Sequence, residues 1–302
     1  MTSKIKIKFL GTSAQIPTAK RNHTGILLTY NEENILIDCG EGIQRQFRLA
    51  ELNPGKITRI LLTHWHGDHV FGLPGLLSTL SFSEYAKTLY IYGPKGTKNF
   101  MNELLKTFNF RKNFQIVVEE IAKPGTFYEN KEFKIESEFM KHGIPSNAYS
   151  FIIKDKLRID KSKLKKAKIP EGKHLSELQQ GKDITVDGKK FKAKDLTYLE
   201  KGKKISIVLD TLNNEKIIPF VKNSDLLICE SSFSSENNEE AKEHFHMTAE
   251  QAGQVAKKSS SEKLILTHIS QRYEIKLKDL LNDAKKNFKN TEIAKDFDEF
   301  IV

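Results

Sequence analysis

A layered α/β sandwich with mixed sheets is the fold class that this 302-residue sequence predicts. Short apolar runs alternate with helical stretches, but without the strict strand–helix–strand spacing of a doubly wound parallel sheet. Several of those runs end on a histidine or an aspartate, a pattern that gathers polar side chains along one sheet edge. Residues 154–203 differ from the rest: they are lysine-rich, poor in large apolar residues and punctuated by Pro170, Gly172, Gly181, Gly188 and Gly202. They read as a protruding insertion and not as core.

In chain order, the alternation of Ile5, Ile7 and Phe9 with lysines predicts a first strand. Gly11 ends it and opens the polar loop TSAQIPTAKRNHT. GILLTY and NILIDCG predict two more strands around a turn at residues 31–33. Residues 44–52 predict a short helix stopped by Asn53-Pro54-Gly55, and residues 57–62 a buried strand that runs directly into THWHGDH. FGLPGLLSTLSF, residues 71–82, predicts an apolar helix that packs in the core or at a subunit interface. A strand at 89–92, a helix at 96–108, alternating strands over 115–140 with a turn near Glu129-Asn130, and a strand at 148–153 precede the insertion. After it come strand-like ISIVLDT and LLICESS, a helix at 248–258, strand-like KLILTHIS and a helix at 276–288. There is no internal repeat.

Composition narrows the classes. Hydrophobic residues make up 38% and charged residues 29%, ordinary for a soluble globular chain. No run of 18 apolar residues predicts a membrane span. The start, MTSKIKIKFLG, lacks the apolar core of a signal peptide, so a cytoplasmic setting is expected. Two cysteines, Cys39 and Cys229, lie in strand-like apolar contexts and are expected as buried free thiols. The net charge of +10 suits a polyanionic partner. Only seven residues are arginine, however, and a lysine-rich composition also arises from an AT-rich genome.

The chemistry concentrates in His64-Trp65-His66-Gly67-Asp68-His69. Residues two apart in extended chain point the same way, so His64 and His66 can grip one metal. Gly67 permits a sharp turn, after which Asp68 and His69 can face a second. Three imidazoles and a carboxylate form a donor set suited to zinc. His142, Asp210 and His268 are further candidates, the last two each closing an apolar strand. A strand-end aspartate is by itself commonly a turn former. Its occurrence together with the six-residue motif makes it a ligand candidate.

HWHGDH resembles the HxHxDH signature of the metallo-β-lactamase fold. FLGTSAQIPTAKRN, LIDCGEGIQRQ, LTHWHGDHVFGLPGLL, HFHMTAEQAG and LTHISQRY further resemble the tRNase Z (ribonuclease Z) branch, short form, over residues 5–300. The resemblance implies an αββα sandwich spanning 1–302 with a flexible tRNA-binding arm at 154–203. It implies a zinc-dependent endoribonuclease that removes the 3′ trailer of precursor tRNA after the discriminator base and leaves a 3′-hydroxyl. It implies two Zn2+ per subunit, for which Mn2+ or Fe2+ can substitute. His64, His66 and His142 would hold one ion, Asp68, His69 and His268 the other, and Asp210 would bridge them. Asp68 would accept a proton, and His246 would protonate or stabilise the leaving oxygen, with His244 as the competing candidate. Lys20, Arg21 and Asn22 are implied in reading the tRNA 3′ end. Arg272 is either a phosphate clamp or an ordinary surface arginine. The arm lysines Lys161, Lys163, Lys165, Lys166, Lys168 and Lys173 suit phosphate contacts, and a homodimer is implied.

Four features depart from the family pattern. Leu209 stands where a glycine commonly precedes the bridging aspartate, Cys229 where a histidine often precedes the glutamate, and Ala148 where glycine is common. PEGKH (170–174) replaces a Gly-Pro pair of the arm. Two other classes are open to this sequence. One is a hydrolase of a small phosphodiester, sulfate ester or thioester. The other is a non-catalytic tRNA-binding or metal-storage protein. The arm and the Lys20-Arg21 loop argue against the first, and the full ligand set against the second.

Overall fold

The computed structural model describes residues 4–108, 113–172 and 174–302. Among these, two seven-stranded sheets carry the larger of two compact units, which comprises Met1–Tyr128, Ile135–Phe151 and Lys204–Val302. The first sheet runs, edge to edge, through Glu299–Ile301, Lys6–Gly11, Gly25–Tyr30, Glu33–Ile37, Arg59–Leu61, Leu89–Gly93 and Ile116–Glu120. The second runs through Thr291–Ile293, Leu264–Thr267, Leu226–Glu230, Lys204–Val208, Ser146–Ile153, Phe133–Met140 and Gly125–Glu129.

The inner strands Gly25–Tyr30 and Glu33–Ile37 are buried on both faces toward their ends and read as near-continuous apolar runs, whereas Lys6–Gly11 alternates with exposed lysine. Cross-strand register aligns Leu27, Leu36, Ile60 and Ile91 in one row. That row packs beneath the helices Ile43–Leu49 and Leu73–Phe82. The neighbouring row, Ile26, Ile37, Leu61 and Tyr92, faces the other way. On that side Tyr92 meets Phe127, and Tyr30 meets Phe151, with ring centroids 5.1 and 5.7 Å apart. Tyr149 Oη donates to Leu62 O at 2.6 Å and ties the sheets together. The helices Ala249–Lys258 and Leu277–Asn287 cover the outer face of the second sheet. At Gly253 a Cβ would lie 2.4 Å from Ala284 O, so glycine sets how closely these two helices approach. Helix, sheet, sheet, helix is the layer order, the sandwich expected from the sequence.

The half of each sheet nearest the site is parallel: Glu33–Ile37 with Arg59–Leu61, and Lys204–Val208 with Leu226–Glu230 and then Leu264–Thr267. Parallel strands release the chain at the same edge, the place where ligands bind in open α/β sheets. Asp38, Thr63-His64, Asp210, Glu230 and His268 all lie at or just past such exits.

Helix Leu73–Phe82 buries Leu73, Leu76, Leu77 and Leu80 at helical spacing, so the stretch 71–82 packs chiefly in the core. Phe71 and Phe82, at 65% and 86% exposure, stand clear of it. The predicted helices appear a residue or two shorter, as helix ends fray. Two short C-terminal strands, Thr291–Ile293 and Glu299–Ile301, were not legible because three-residue edge strands carry no periodicity.

The second unit comprises Glu129–Lys134 and Ile152–Lys203. Residues 154–203, expected as a protruding insertion and not as core, hold a small core of their own: Leu164, Ile169, Leu178, Ile184, Ala193 and Leu196. Lys156–Ile159 pairs antiparallel with Thr197–Glu200, and two short helices, Lys161–Lys166 and His174–Gln179, contribute Leu164 and Leu178. Asp160 caps the first of these helices, accepting from the Ser162 and Lys163 amides. Its apolar residues are few but spaced to meet, a long-range pattern that composition hides. Lys161, Lys163, Lys165, Lys166 and Lys168 are exposed; Lys173, within PEGKH, lies outside the described residues.

Candidate metal centre

Each donor is delivered by a strand exit or the turn that follows it. Arg59–Leu61 leads to Thr63 and His64, and the four-residue helix Gly67–Val70 turns Asp68 and His69 inward. Asp210 and His268 take positive φ, 24° and 56°, at the exits of Lys204–Val208 and Leu264–Thr267. Such backbone is uncommon for non-glycine residues and turns each side chain across the sheet edge. Asp210 itself makes this turn, and Leu209 before it is buried. Cys229 and Ala148 are buried in the adjoining core.

Two sets of donors result. In the first, His64 Nε2 lies 3.0 Å from His66 Nδ1, which lies 3.1 Å from His142 Nε2. Asp210 Oδ2 sits 3.6 and 3.9 Å from the His64 and His142 nitrogens. In the second, the Nε2 atoms of His69 and His268 are 3.2 Å apart, and Asp68 Oδ2 is 3.2 and 3.3 Å from them. Asp210 Oδ1 completes this set at 3.5 and 3.3 Å. One carboxylate thus offers one oxygen to each set.

The far side of each ring fixes its tautomer. His69 Nδ1 donates to Asp38 Oδ2 at 2.6 Å, and His142 Nδ1 to Phe245 O at 3.1 Å. Thr63 Oγ1 donates to Asp38 Oδ2 and so accepts from His64 Nδ1 at 3.1 Å. Ser232 Oγ donates to Glu230 Oε2 and accepts from His268 Nδ1 at 2.9 Å. With the protons outside, the inner nitrogens of these four rings are bare lone pairs. Converging lone pairs and carboxylates repel unless a cation lies among them. Asp210 Oδ1 is buried yet accepts no hydrogen bond in the described residues. Metal–nitrogen bonds of about 2.0–2.1 Å in a tetrahedron place donors roughly 3.4 Å apart, the spacing seen here. The donors therefore fit a divalent metal centre.

Charge follows the same logic. Burial, with neighbouring imidazoles such as His69, holds His64 well below the usual histidine range, and burial lowers His66 and His142. Burial opposes ionisation of Asp68 and Asp210, but the surrounding imidazoles outweigh it and hold both below the usual carboxylate range. His246 is different. Burial is overcome by the Glu230 and Asp210 carboxylates, which raise it to about 9.

The structure brings together His64, His66, Asp68, His69, His142, Asp210 and His268, with His246 beside them. His246 Nδ1 donates to Glu230 Oε2 at 3.0 Å while Nε2 lies 3.9 Å from Asp210 Oδ2. His244 stands at the rim, parallel to the Phe233 ring. A cavity of about 460 Å³ opens over the centre, bounded by Ile16, Asp68, His142, Phe233, His246 and Arg272 among others.

Three expected substrate residues are not brought to that cavity among the described residues: Lys20, Arg21 and Asn22 lie elsewhere in their loop. The guanidinium of Arg21 is buried, donating to Thr12 Oγ1 and Ala294 O at 2.7 Å each. Asn22 donates from its side chain to Glu41 O and from its amide to Asp296 Oδ2. Both hold the loop in shape, a role invisible without the partners from residues 294–296. Lys20 is exposed. Arg272 does line the cavity but is forked onto Glu240. Sequence reasoning missed Asp38, Thr63, Glu230 and Ser232. Asp38 and Glu230 carry the same signal as Asp210, an acidic residue closing an apolar strand.

Residues 5–169 match the family model described as "Anti-Pycsar protein Apyc1". Over nearly full length the chain is 38% identical to the ribonuclease Z of Nanoarchaeum equitans (97% of this chain, 92% of that one). It is 39% identical to the ribonuclease Z of Listeria monocytogenes, covering 99% of both. Among solved structures it resembles the short form of human tRNase Z, with a TM-score of 0.70 at 26% identity over 98% of both chains. The metallo-β-lactamase fold protein YhfI of Bacillus subtilis, at 19% identity and a TM-score of 0.72 over the full length of both, shares the fold. With its donors at the strand exits and relatives of this identity along its whole length, the chain belongs to the ribonuclease Z family, metal-dependent hydrolases of the metallo-β-lactamase fold.

Proposed function

We infer that this chain is a zinc-dependent endoribonuclease that removes the 3′ trailer of precursor tRNA, cutting after the discriminator base and leaving a 3′-hydroxyl on the tRNA. The observation that carries the reading is the division of Asp210 between two donor sets, in a chain whose relatives are ribonuclease Z along its full length. His64, His66 and His142 would hold one zinc, Asp68, His69 and His268 the other, with Asp210 between them; Mn2+ or Fe2+ can substitute in such an N/O site. Two bound cations supply Lewis-acid polarisation of the phosphodiester and a lowered pKa for water.

The remaining steps belong to the chain's own groups. Asp68 offers a carboxylate at the donor set, placed to take the proton of the attacking water. Water adds to phosphorus, the bond from phosphorus to the tRNA 3′-oxygen breaks, and the trailer keeps the phosphate. His246, held protonated by Glu230, gives its Nε2 proton to the departing 3′-oxygen. Asp38 and Ser232 keep the His69 and His268 rings aimed inward.

The small unit, with its exposed lysines, would grip the tRNA, and of Lys20, Arg21 and Asn22 it is Lys20 whose side chain stays exposed for the 3′ end. A homodimer belongs to the same reading, by family likeness. So does a cytoplasmic setting, supported by two buried free thiols, Cys39 and Cys229; no helix among the described residues is long and apolar enough to cross a membrane. Incubating the purified protein with end-labelled precursor tRNA, with and without chelator, tests the proposal. The expected result is one chelator-sensitive cut after the discriminator base. Cutting elsewhere, or cutting indifferent to chelator, overturns it.

A further inference from the structure

We propose that the cavity adjoining the metal centre is a second RNA subsite, and that Arg272 exchanges Glu240 for a phosphodiester flanking the scissile one. This rests on the endoribonuclease reading above. Arg272 is shared by two cavities. One is the cavity over the donors; the other, about 560 Å³, is bounded by Ser234, Tyr273, Lys276, Asp279, Asp283 and Lys286 among others. An RNA strand whose scissile phosphate sits at the donors has a phosphate on either side of it, and the second cavity is where such a neighbour can lie.

The guanidinium is built to exchange partners. Both Nη atoms donate to the Glu240 carboxylate, at 2.7 and 2.6 Å. A carboxylate and a phosphodiester present the same two-oxygen fork, so Glu240 occupies the place of a phosphate. The pair is partly exposed on both sides, 43% and 33%, where an ion pair is weak. A phosphate already delivered by a bound strand competes at high effective concentration. Phe233 lies beneath the guanidinium, 5.1 Å from its carbon to the ring centroid, and keeps its plane at the boundary of the cavities.

The backbone below does not need to move. Tyr273, the next residue, is buried, and its hydroxyl donates to Asn237 Oδ1 at 2.8 Å and accepts from the Ser234 amide at 3.0 Å. The wall of the second cavity carries both signs. Asp283 is taken by Lys286 at 2.7 Å and by the Ser235 amide and hydroxyl, Lys276 is exposed, and Asp279 remains. Selectivity for a phosphate there comes from the fork of Arg272, not from bulk charge.

The test uses three precursor tRNAs: unmodified, and with a neutral methylphosphonate at the phosphate on the trailer side or on the tRNA side of the cut. Arg272→Ala is expected to raise KM on the unmodified precursor about tenfold, the size of a charge-assisted contact. On one methylphosphonate substrate that penalty disappears while on the other it persists, which identifies the side occupied. Glu240→Gln frees the guanidinium, lowers KM severalfold and steepens the salt dependence of tRNA binding, and does neither in the Arg272→Ala background. An equal Arg272→Ala penalty on all three substrates overturns the subsite, as does a raised KM in Glu240→Gln. If the unaltered protein cuts no precursor at all, the nuclease reading falls, and the subsite with it.

Discussion

At the scale of single residues, the site is governed by which atom of each side chain holds a proton. Asp68 has one oxygen against two imidazole nitrogens, at 3.2 and 3.3 Å. Asp68→Ala removes a metal donor and the proton acceptor together, and cleavage should drop by at least roughly 10²–10⁴-fold. Initial rates on precursor tRNA decide this; near-normal turnover would contradict the two-metal scheme. His246 titrates at about 9, with burial opposed first by Glu230 and then by Asp210. As an acid it acts below that pH and fails as pH rises through it. Glu230→Gln removes the larger raising charge, so the alkaline limb of the rate profile should move to lower pH; an unchanged limb would show that His246 is not the acid. The seven donor candidates were legible as residue types because four of them crowd into HWHGDH; Asp210 alone, at a strand end, would have read as a turn former. Asp38 and Glu230 carry the same strand-end signal as Asp210, but what they and Ser232 do exists only through a partner ring, contributed by His69, His246 or His268, distant in sequence.

At the scale of elements, the donor loop is held by close backbone approach. Cys39 N donates to His69 O at 2.7 Å, and Gly72 N to Cys39 O at 2.9 Å. A Cβ on Gly72 would lie 2.1 Å from Gly40 O, which is backbone and cannot swing aside. Gly72→Ala should therefore cost about 1–3 kcal/mol, read from urea denaturation, and should loosen metal binding, read by metal competition. A neutral effect on both would mean that the loop and the helix Leu73–Phe82 are not wedged together. The four helices of ten residues or more among the described residues were legible in the sequence, whereas short ones such as Ile217–Phe220 and Asn238–Glu243 were not. Thr248 both accepts from Gln251 N and has its own amide capped by the Gln251 side chain. The edge strands were not predictable, since three residues paired to a distant strand leave no local trace.

At the scale of the whole molecule, the chain splits into two compact units. In the small unit, Ile159 pairs with Thr197 at the end of the hairpin formed by Lys156–Ile159 and Thr197–Glu200. Replacing 160–195 with a short glycine–serine turn removes its core and the exposed helix lysines while leaving that hairpin closed. Cleavage of precursor tRNA should fall by two orders of magnitude or more, as several phosphate contacts are lost, while hydrolysis of a small chromogenic phosphodiester persists. Equal loss of both activities would count against a tRNA-gripping role.

The sequence by itself determined the layer class, the donor types and the family, because buried strands must be apolar in period or in run, and because metal chemistry admits few side chains. Composition set 154–203 apart, but the small core there became visible only in the structure. Tertiary structure alone decided which oxygen of Asp210 faces which donors, which nitrogen of each ring is bare, and that Arg21 is structural while Arg272 sits between two cavities. Those are matters of direction and partnership across hundreds of residues, fixed by strand register and by φ at two strand exits, and no local pattern encodes them.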